Sequence, residues 1–175
     1  MNWITHFLFS MNLLLIFLGS QATIKEMIIF TIIFALFVDL DFIFTTYVLK
    51  KEGLNHRTLL QEPFGLLFIG VPIGLLFGYF FQAYYFFLVI IPFFSHIFLD
   101  YVTIHNVHPY LPFSKKEIKV GFIRQIIESP RRPFINNKPT LKGFNELHLI
   151  LLNVILFLVL LYFNYNINNL LSCIR

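Results

Sequence analysis

The chain has 175 residues, of which 58% are hydrophobic and only 13% are charged, and its formal net charge is +4. Soluble domains carry about 25% charged residues, so this composition excludes an ordinary soluble domain and indicates a membrane protein. The single Cys173 excludes a disulfide framework and a thiolate metal cluster.

Five apolar runs predict an all-α, polytopic membrane bundle of about five transmembrane helices, forming a single domain over residues 1–175. They cover residues 7–18, 27–49, 64–81, 84–104 and 147–171. The first run lacks the basic segment and the cleavage site of a signal peptide, so we expect it to be retained. Several glycines and a proline interrupt the third run, which membrane helices tolerate when neighbouring helices satisfy the backbone.

The basic residues are divided unevenly between the two sides of this predicted bundle. Five spans place the N-terminus, residues 50–62 and the connecting loop 105–146 on one side, and this side holds every Lys and Arg except Lys25 and Arg175. The positive-inside rule therefore predicts a multi-pass protein of the cell membrane with a cytoplasmic N-terminus.

The loop between the fourth and fifth runs contains apolar residues at helical spacing from Ile118 to Ile127, with charged residues between them. This pattern predicts a short helix on the anionic inner leaflet, with membrane lipid as its partner. Membrane orientation explains the basic residues better than nucleic-acid binding does, so no nucleic-acid partner is expected.

The fourth run contains His96 and Asp100 at a spacing of i, i+4, which places both side chains on one helical face about one turn apart. An ionisable group costs about 2.5 to 3.5 kcal/mol at the centre of a spanning helix, so such groups indicate function. The pair has a geometry suited to chelation. Alternatively, Asp100 only hydrogen-bonds His96 within a packing network.

The second run contains Asp39 and Asp41, and neither the second nor the fourth run has a Lys or Arg to neutralise its acids. The i, i+2 spacing separates the two carboxylates by about 200° on a regular helix. Either the helix unwinds here, as at many ion sites in membrane proteins, or one acid binds while the other contacts a neighbouring helix.

Two further polar segments lie on the same predicted side. His6 begins the first run, and His56 and Arg57 precede the third. The predicted topology brings them to the cytoplasmic half of the membrane together with the acids of the second run and the pair in the fourth. Ionisable groups from four segments therefore converge on one leaflet.

Taken in order, the motifs resemble those of the YdjM-like family of membrane-bound, metal-dependent hydrolases. The motifs are Thr5-His6-x-x-x-Ser10, Asp39-Leu40-Asp41, His56-Arg57, Ser95-His96-x-x-x-Asp100-x-x-Thr103 and Pro112-Phe113. The resemblance covers roughly residues 5–113. The family commonly has Pro-Asp-x-Asp-His where this chain has Val38-Asp39-Leu40-Asp41-Phe42, and Gln61 and Glu62 lie where a second His of the third motif is usual.

Together, the convergence and the resemblance imply a site for a divalent metal. Its predicted ligands are His6, Asp39, His56, His96 and Asp100. Imidazole and carboxylate ligands without sulfur suit Zn2+, with Mn2+, Fe2+ or Mg2+ as alternatives.

The predicted catalytic residues are Asp41, Arg57 and Glu62. Asp41 or Glu62 would take a proton from water, and Arg57 would orient an anionic group. The expected substrate is an anionic ester, of the phosphoester or lipid type, reached from the cytoplasmic face.

Two other functions stay open from the sequence. A transporter or ion conduit would use the same acids and histidines along a translocation path, and a catalytically inactive protein would use them for binding alone. The outer halves of the helices are mainly Phe, Leu and Ile. This asymmetry favours a site that opens to one side only.

Overall fold

The computed structural model describes residues 3–43, 59–102, 105–107, 109–110, 112–114, 118–120 and 146–174. The helices in these segments form a membrane bundle, which confirms the predicted fold class. They are α1 (Trp3–Leu18), α2 (Ile24–Ile43), α3 (Pro63–Phe80), α4 (Tyr84–Val102) and α5 (Glu146–Ile174). Within this described part, α3, α4 and the Leu147–Asn166 portion of α5 are long and apolar enough to cross a membrane.

A capping box formed by Thr23 and Glu26 stabilises the beginning of α2. The Thr23 hydroxyl accepts a hydrogen bond from the Glu26 amide at 3.3 Å, and the Glu26 carboxylate accepts one from the Thr23 amide at 2.8 Å. This reciprocal pair satisfies amides that the first turn of a helix otherwise leaves without partners.

The third helix, α3, contains a π-helical turn at Leu66–Gly70, which ends two residues before Pro72. A proline lacks the backbone N–H and crowds the preceding turn of a regular α-helix. Gly70 and Gly74 face α4 in this region. A Cβ on Gly74 would lie 3.1 Å from the Phe86 ring, so the small residues allow α3 and α4 to pack closely.

At the centre of the bundle, α4 packs against α1, α2 and α3. Its two faces contribute to separate apolar clusters. One cluster joins α1, α2 and the beginning of α4, and it includes Met11, Leu14, Met27 and Leu88. The other joins α2 and α4, and it consists of Phe34, Val38, Val89, Phe93 and Ile97.

Two side-chain contacts between α1 and α5 show the relative direction of these two helices. The side-chain amide of Asn12 donates to the Asn153 backbone oxygen at 3.0 Å and to its side-chain oxygen at 2.9 Å. Later in both helices, Asn164 of α5 packs against Gly19 of α1. Because the later residue of α1 contacts the later residue of α5, the two helices run in the same direction. We call the end of the bundle that contains the start of α1 and the end of α4 the His6 end, and the opposite end the Glu26 end.

After α4, the chain forms a short antiparallel ribbon from β1 (His105–Val107) and β2 (Ile118–Val120), with His105 opposite Val120. The predicted loop helix is therefore wrong at its beginning. Two β-branched residues alternate with Lys119 there, which suits a strand when a partner strand is adjacent. The rest of that predicted helix lies outside the described residues, and the single-domain boundary stays a prediction.

Candidate metal centre

Three predicted ligands meet between α1 and α4 at the His6 end. His6 and His96 are each 2% exposed and Asp100 is 8% exposed. The Nε2 atom of His6 lies 3.5 Å from Oδ1 of Asp100, and the Nε2 atom of His96 lies 3.9 Å from Oδ2 of the same carboxylate. We call these three residues the His–Asp cluster.

The two helices hold this cluster through motifs that face each other. The imidazole rings of His6 and His96 stack with their centroids 3.9 Å apart and their planes 13° from parallel. Next to the rings, the Ser10 and Ser95 hydroxyls are hydrogen-bonded, and the Ser95 hydroxyl donates to the Pro92 carbonyl oxygen at 2.9 Å. The motif of α1 and the motif of α4 therefore form one continuous interface.

The geometry of the cluster fits a metal ion. An N–H···O hydrogen bond usually spans about 2.7 to 3.2 Å, so separations of 3.5 and 3.9 Å are long for direct bonding. Two ligands bonded to one ion at about 2.0 to 2.2 Å in a tetrahedral arrangement lie about 3.3 to 3.6 Å apart. One nitrogen or oxygen from each residue lies within 4.8 Å of the others.

The chemistry of the three side chains supports the same interpretation. The donor set of two imidazoles and one carboxylate suits Zn2+ and related divalent ions.

Glu62 lies at the same end, directly before α3. Its side chain is fully buried, and its carboxylate accepts a hydrogen bond from the Tyr101 hydroxyl. Tyr101 follows Asp100 in α4, so one helix contacts both the cluster and this second carboxylate. Tyr101 was not among the predicted site residues. The available signal was a tyrosine near the end of an apolar helix, where a buried hydroxyl requires a polar partner.

The acids of the second motif lie in the last turns of α2, which continues as a helix to Ile43. The backbone therefore does not unwind at Asp39 and Asp41, and a regular helix directs these two positions about 200° apart. Their side chains lie outside the described residues, as do His56 and Arg57. The structure thus brings together three of the five predicted ligands and leaves the positions of the other two ligand side chains as predictions.

A second polar contact that the sequence analysis missed joins α1 to α5. Asn12 and Asn153 are both buried, and they pair on the opposite side of α1 from its contacts with α4. Asparagine within an otherwise apolar run was the available signal, because such residues commonly hydrogen-bond between membrane helices. This contact holds α5 against α1, whereas the residues of the His–Asp cluster come from α1 and α4.

A family model described as YdjM inner membrane protein matches residues 1–170. The chain belongs to this family. The match to the YdjM inner membrane protein family extends past residues 5–113, which carry the motifs, and includes most of α5. It supports a membrane location, in agreement with the apolar helices. Searches of curated proteins and of solved structures gave no match.

Proposed function

We propose that this protein is a membrane-embedded, metal-dependent hydrolase with its centre at the His–Asp cluster. One observation carries the proposal. Three buried side chains of types that bind metals, one in α1 and two in α4 at least 90 residues later, converge with one nitrogen or oxygen atom of each within 4.8 Å of the others. Ionisable groups are costly to bury in an apolar bundle, so this convergence favours a functional site over packing alone.

In this proposal, His6, His96 and Asp100 are the metal ligands, and the α1–α4 interface fixes their orientation. A bound divalent metal, with Zn2+ as the first choice and Mn2+, Fe2+ or Mg2+ as alternatives, would polarise the substrate and lower the pKa of a bound water. Stacked rings and the serine pair restrict movement of both imidazoles. This restriction keeps the ligand set organised before the ion arrives.

A base is also needed to accept a proton from the attacking water. Glu62 is the described candidate, because it is a buried carboxylate at the His6 end that does not belong to the cluster. The Tyr101 hydroxyl holds this carboxylate in one orientation. We assign Asp41 as the alternative base and Arg57 as the group that orients an anionic substrate, and these two roles rest on the sequence.

We propose an anionic ester of the phosphoester or lipid type as the substrate. Trp3 and Phe98, close in sequence to the ligands of α1 and α4, are 66% and 45% exposed. Large apolar side chains at the surface of a membrane protein are suited to contact with lipid. A lipid headgroup near the His6 end therefore has a shorter route to the cluster than a soluble macromolecule has.

The described core favours a hydrolase over a transporter. Between the His–Asp cluster and the Glu26 end, the α1–α4 interface is filled by apolar side chains such as Met11, Leu14 and Leu88, which have no exposed surface. A translocation path requires polar groups leading to the far side. In the helices that the structure describes, this interface offers no continuous polar route.

Hydrolysis assays test the proposal directly. Purified protein in detergent would be incubated with phospholipid and phosphodiester panels in the presence of Zn2+ or Mn2+. We expect turnover that Asp100→Asn abolishes and that Glu26→Gln, a variant at the opposite end, retains. Equal turnover in the wild type and Asp100→Asn, or no turnover by metal-loaded wild type on any ester, would contradict the hydrolase and favour a binding role.

A further inference from the structure

The His–Asp cluster is arranged for two metal ions rather than one, and we infer that Asp100 bridges one ion on His6 and a second ion on His96. This inference rests on the proposed metal centre and specifies its nuclearity. Three features carry it: the orientation of the two imidazole rings, the use of separate carboxylate oxygens, and the spacing of the rings.

The ring orientation argues against a single shared ion. The metal-binding lone pair of an imidazole nitrogen lies in the plane of its ring. The His6 and His96 rings are stacked with their planes only 13° from parallel and their centroids 3.9 Å apart, so their lone pairs lie in two separate, nearly parallel planes. An ion midway between them would lie up to about 1.9 Å out of each ring plane, which is almost the whole length of a Zn–N bond of about 2.0 to 2.1 Å.

The Asp100 carboxylate can serve a separate ion on each ring, because a different oxygen faces each imidazole. Oδ1 of Asp100 faces His6 at 3.5 Å, whereas Oδ2 faces His96 at 3.9 Å. The His6 pair therefore has the separation of roughly 3.3 to 3.6 Å expected for two ligands on one tetrahedral ion, and the His96 pair exceeds that range by about 0.3 Å. A carboxylate that uses its two oxygens in this way is a bridging ligand.

The distance between the rings matches known two-metal chemistry. Ions in binuclear hydrolytic sites lie about 3.5 to 4 Å apart. Two ions that lie in these two stacked ring planes, whose centroids are 3.9 Å apart, and that share the Asp100 carboxylate would have a comparable spacing. Such centres stabilise both the attacking and the leaving oxygen of an in-line displacement, so the arrangement favours phosphoesters among the anionic esters.

Each ion requires further ligands beyond one imidazole and one carboxylate oxygen. Water or substrate oxygens would complete the coordination of both ions.

Manganese loading tests the inference without an activity assay. Wild-type protein in detergent would be equilibrated with Mn2+, freed of excess ion, and measured for metal per chain and by electron paramagnetic resonance. We expect two manganese ions per chain with an exchange-coupled signal, because a bridging carboxylate couples adjacent ions. The His6→Ala variant is expected to retain one ion with the spectrum of isolated Mn2+.

His148→Ala is the matched control, because this exposed histidine lies in the first turn of α5, outside the cluster. It should bind two coupled ions like the wild type. One ion per wild-type chain without coupling would overturn the two-ion inference while leaving the metal centre intact. No bound ion in wild-type protein would overturn both, and the wild-type measurement decides between these outcomes even if His6→Ala fails to fold.

Discussion

The hydroxyl groups of Ser10 and Ser95 are hydrogen-bonded across the α1–α4 interface, one helical turn from His6 and directly before His96. Both are fully buried. The contact links two segments that are distant in sequence and places their histidines opposite each other. Its energetic contribution can therefore be measured separately from metal binding.

A double-mutant cycle on the serine pair should reveal coupling. Ser10→Ala and Ser95→Ala each remove one partner, and we expect a coupling energy of about 0.6 to 1.7 kcal/mol, the range for hydrogen bonds between membrane helices. The measurement is reversible unfolding of metal-free protein in mixed micelles. Strictly additive losses would show that the hydroxyls do not interact.

Tyr101→Phe should destabilise the protein, because it removes a donor from the buried Glu62 carboxylate. The expected loss is about 1 to 3 kcal/mol in the free energy of unfolding, as for other buried groups deprived of a hydrogen bond. In a Glu62→Gln background the same substitution should cost less, since hydrogen bonds to a charged acceptor are about twice as strong as neutral ones. An equal loss in both backgrounds would argue against the assigned contact.

At the opposite end of the bundle, Glu26→Ala should lower stability without changing metal content. The Glu26 carboxylate accepts hydrogen bonds from Tyr84 at 3.1 Å and from Tyr85 at 2.6 Å, in addition to its contacts with Thr23. Hydrogen bonds to charged groups contribute about 1.5 to 3 kcal/mol, and several are lost together here. The exposed Lys25→Ala is the control and should have little effect. If the Glu26→Ala variant remains folded but loses metal, the Glu26 contacts are not independent of the His–Asp cluster at the other end, contrary to this account.

The termini are expected on opposite sides of the membrane, with the N-terminus in the cytoplasm. The distribution of basic residues predicts this orientation, and the parallel α1 and α5 agree with termini at opposite ends. Accessibility of tags placed before Met1 and after Arg175 in intact cells would measure it. Two tags exposed on the same face would mean that α1 or α5 does not cross.

Local periodicity was sufficient to predict part of the site. The i, i+4 spacing of His96 and Asp100 fixes both on one helical face, and the structure places them there. The contribution of His6 depends on which face of α1 meets α4. The sequence could indicate only that His6 lies at the same end, because contacts between distant segments are not encoded in local spacing.

The remaining differences have the same physical origin. Tyr101 and Glu62 meet across α4 and the beginning of α3, so no local pattern in either segment predicts their contact. Ile118 to Val120 fits both a helical and an alternating pattern over so short a segment, and pairing with β1 decides in favour of a strand. The Glu62–Tyr101 contact and the strand β2 therefore depend on tertiary contacts, which local sequence patterns do not predict.

The most direct test of the metal centre is the metal content of purified protein after equilibration with Zn2+ or Mn2+ and removal of excess ion. We expect the wild type and the His148→Ala control to retain the same stoichiometric number of metal ions per protein chain. Asp100→Ala, which removes the carboxylate shared by both histidines, should lose affinity by more than the roughly 10- to 100-fold typical of residues around a metal ligand. Folded wild-type protein that binds no metal, or Asp100→Ala that keeps the wild-type content, would contradict the proposed centre.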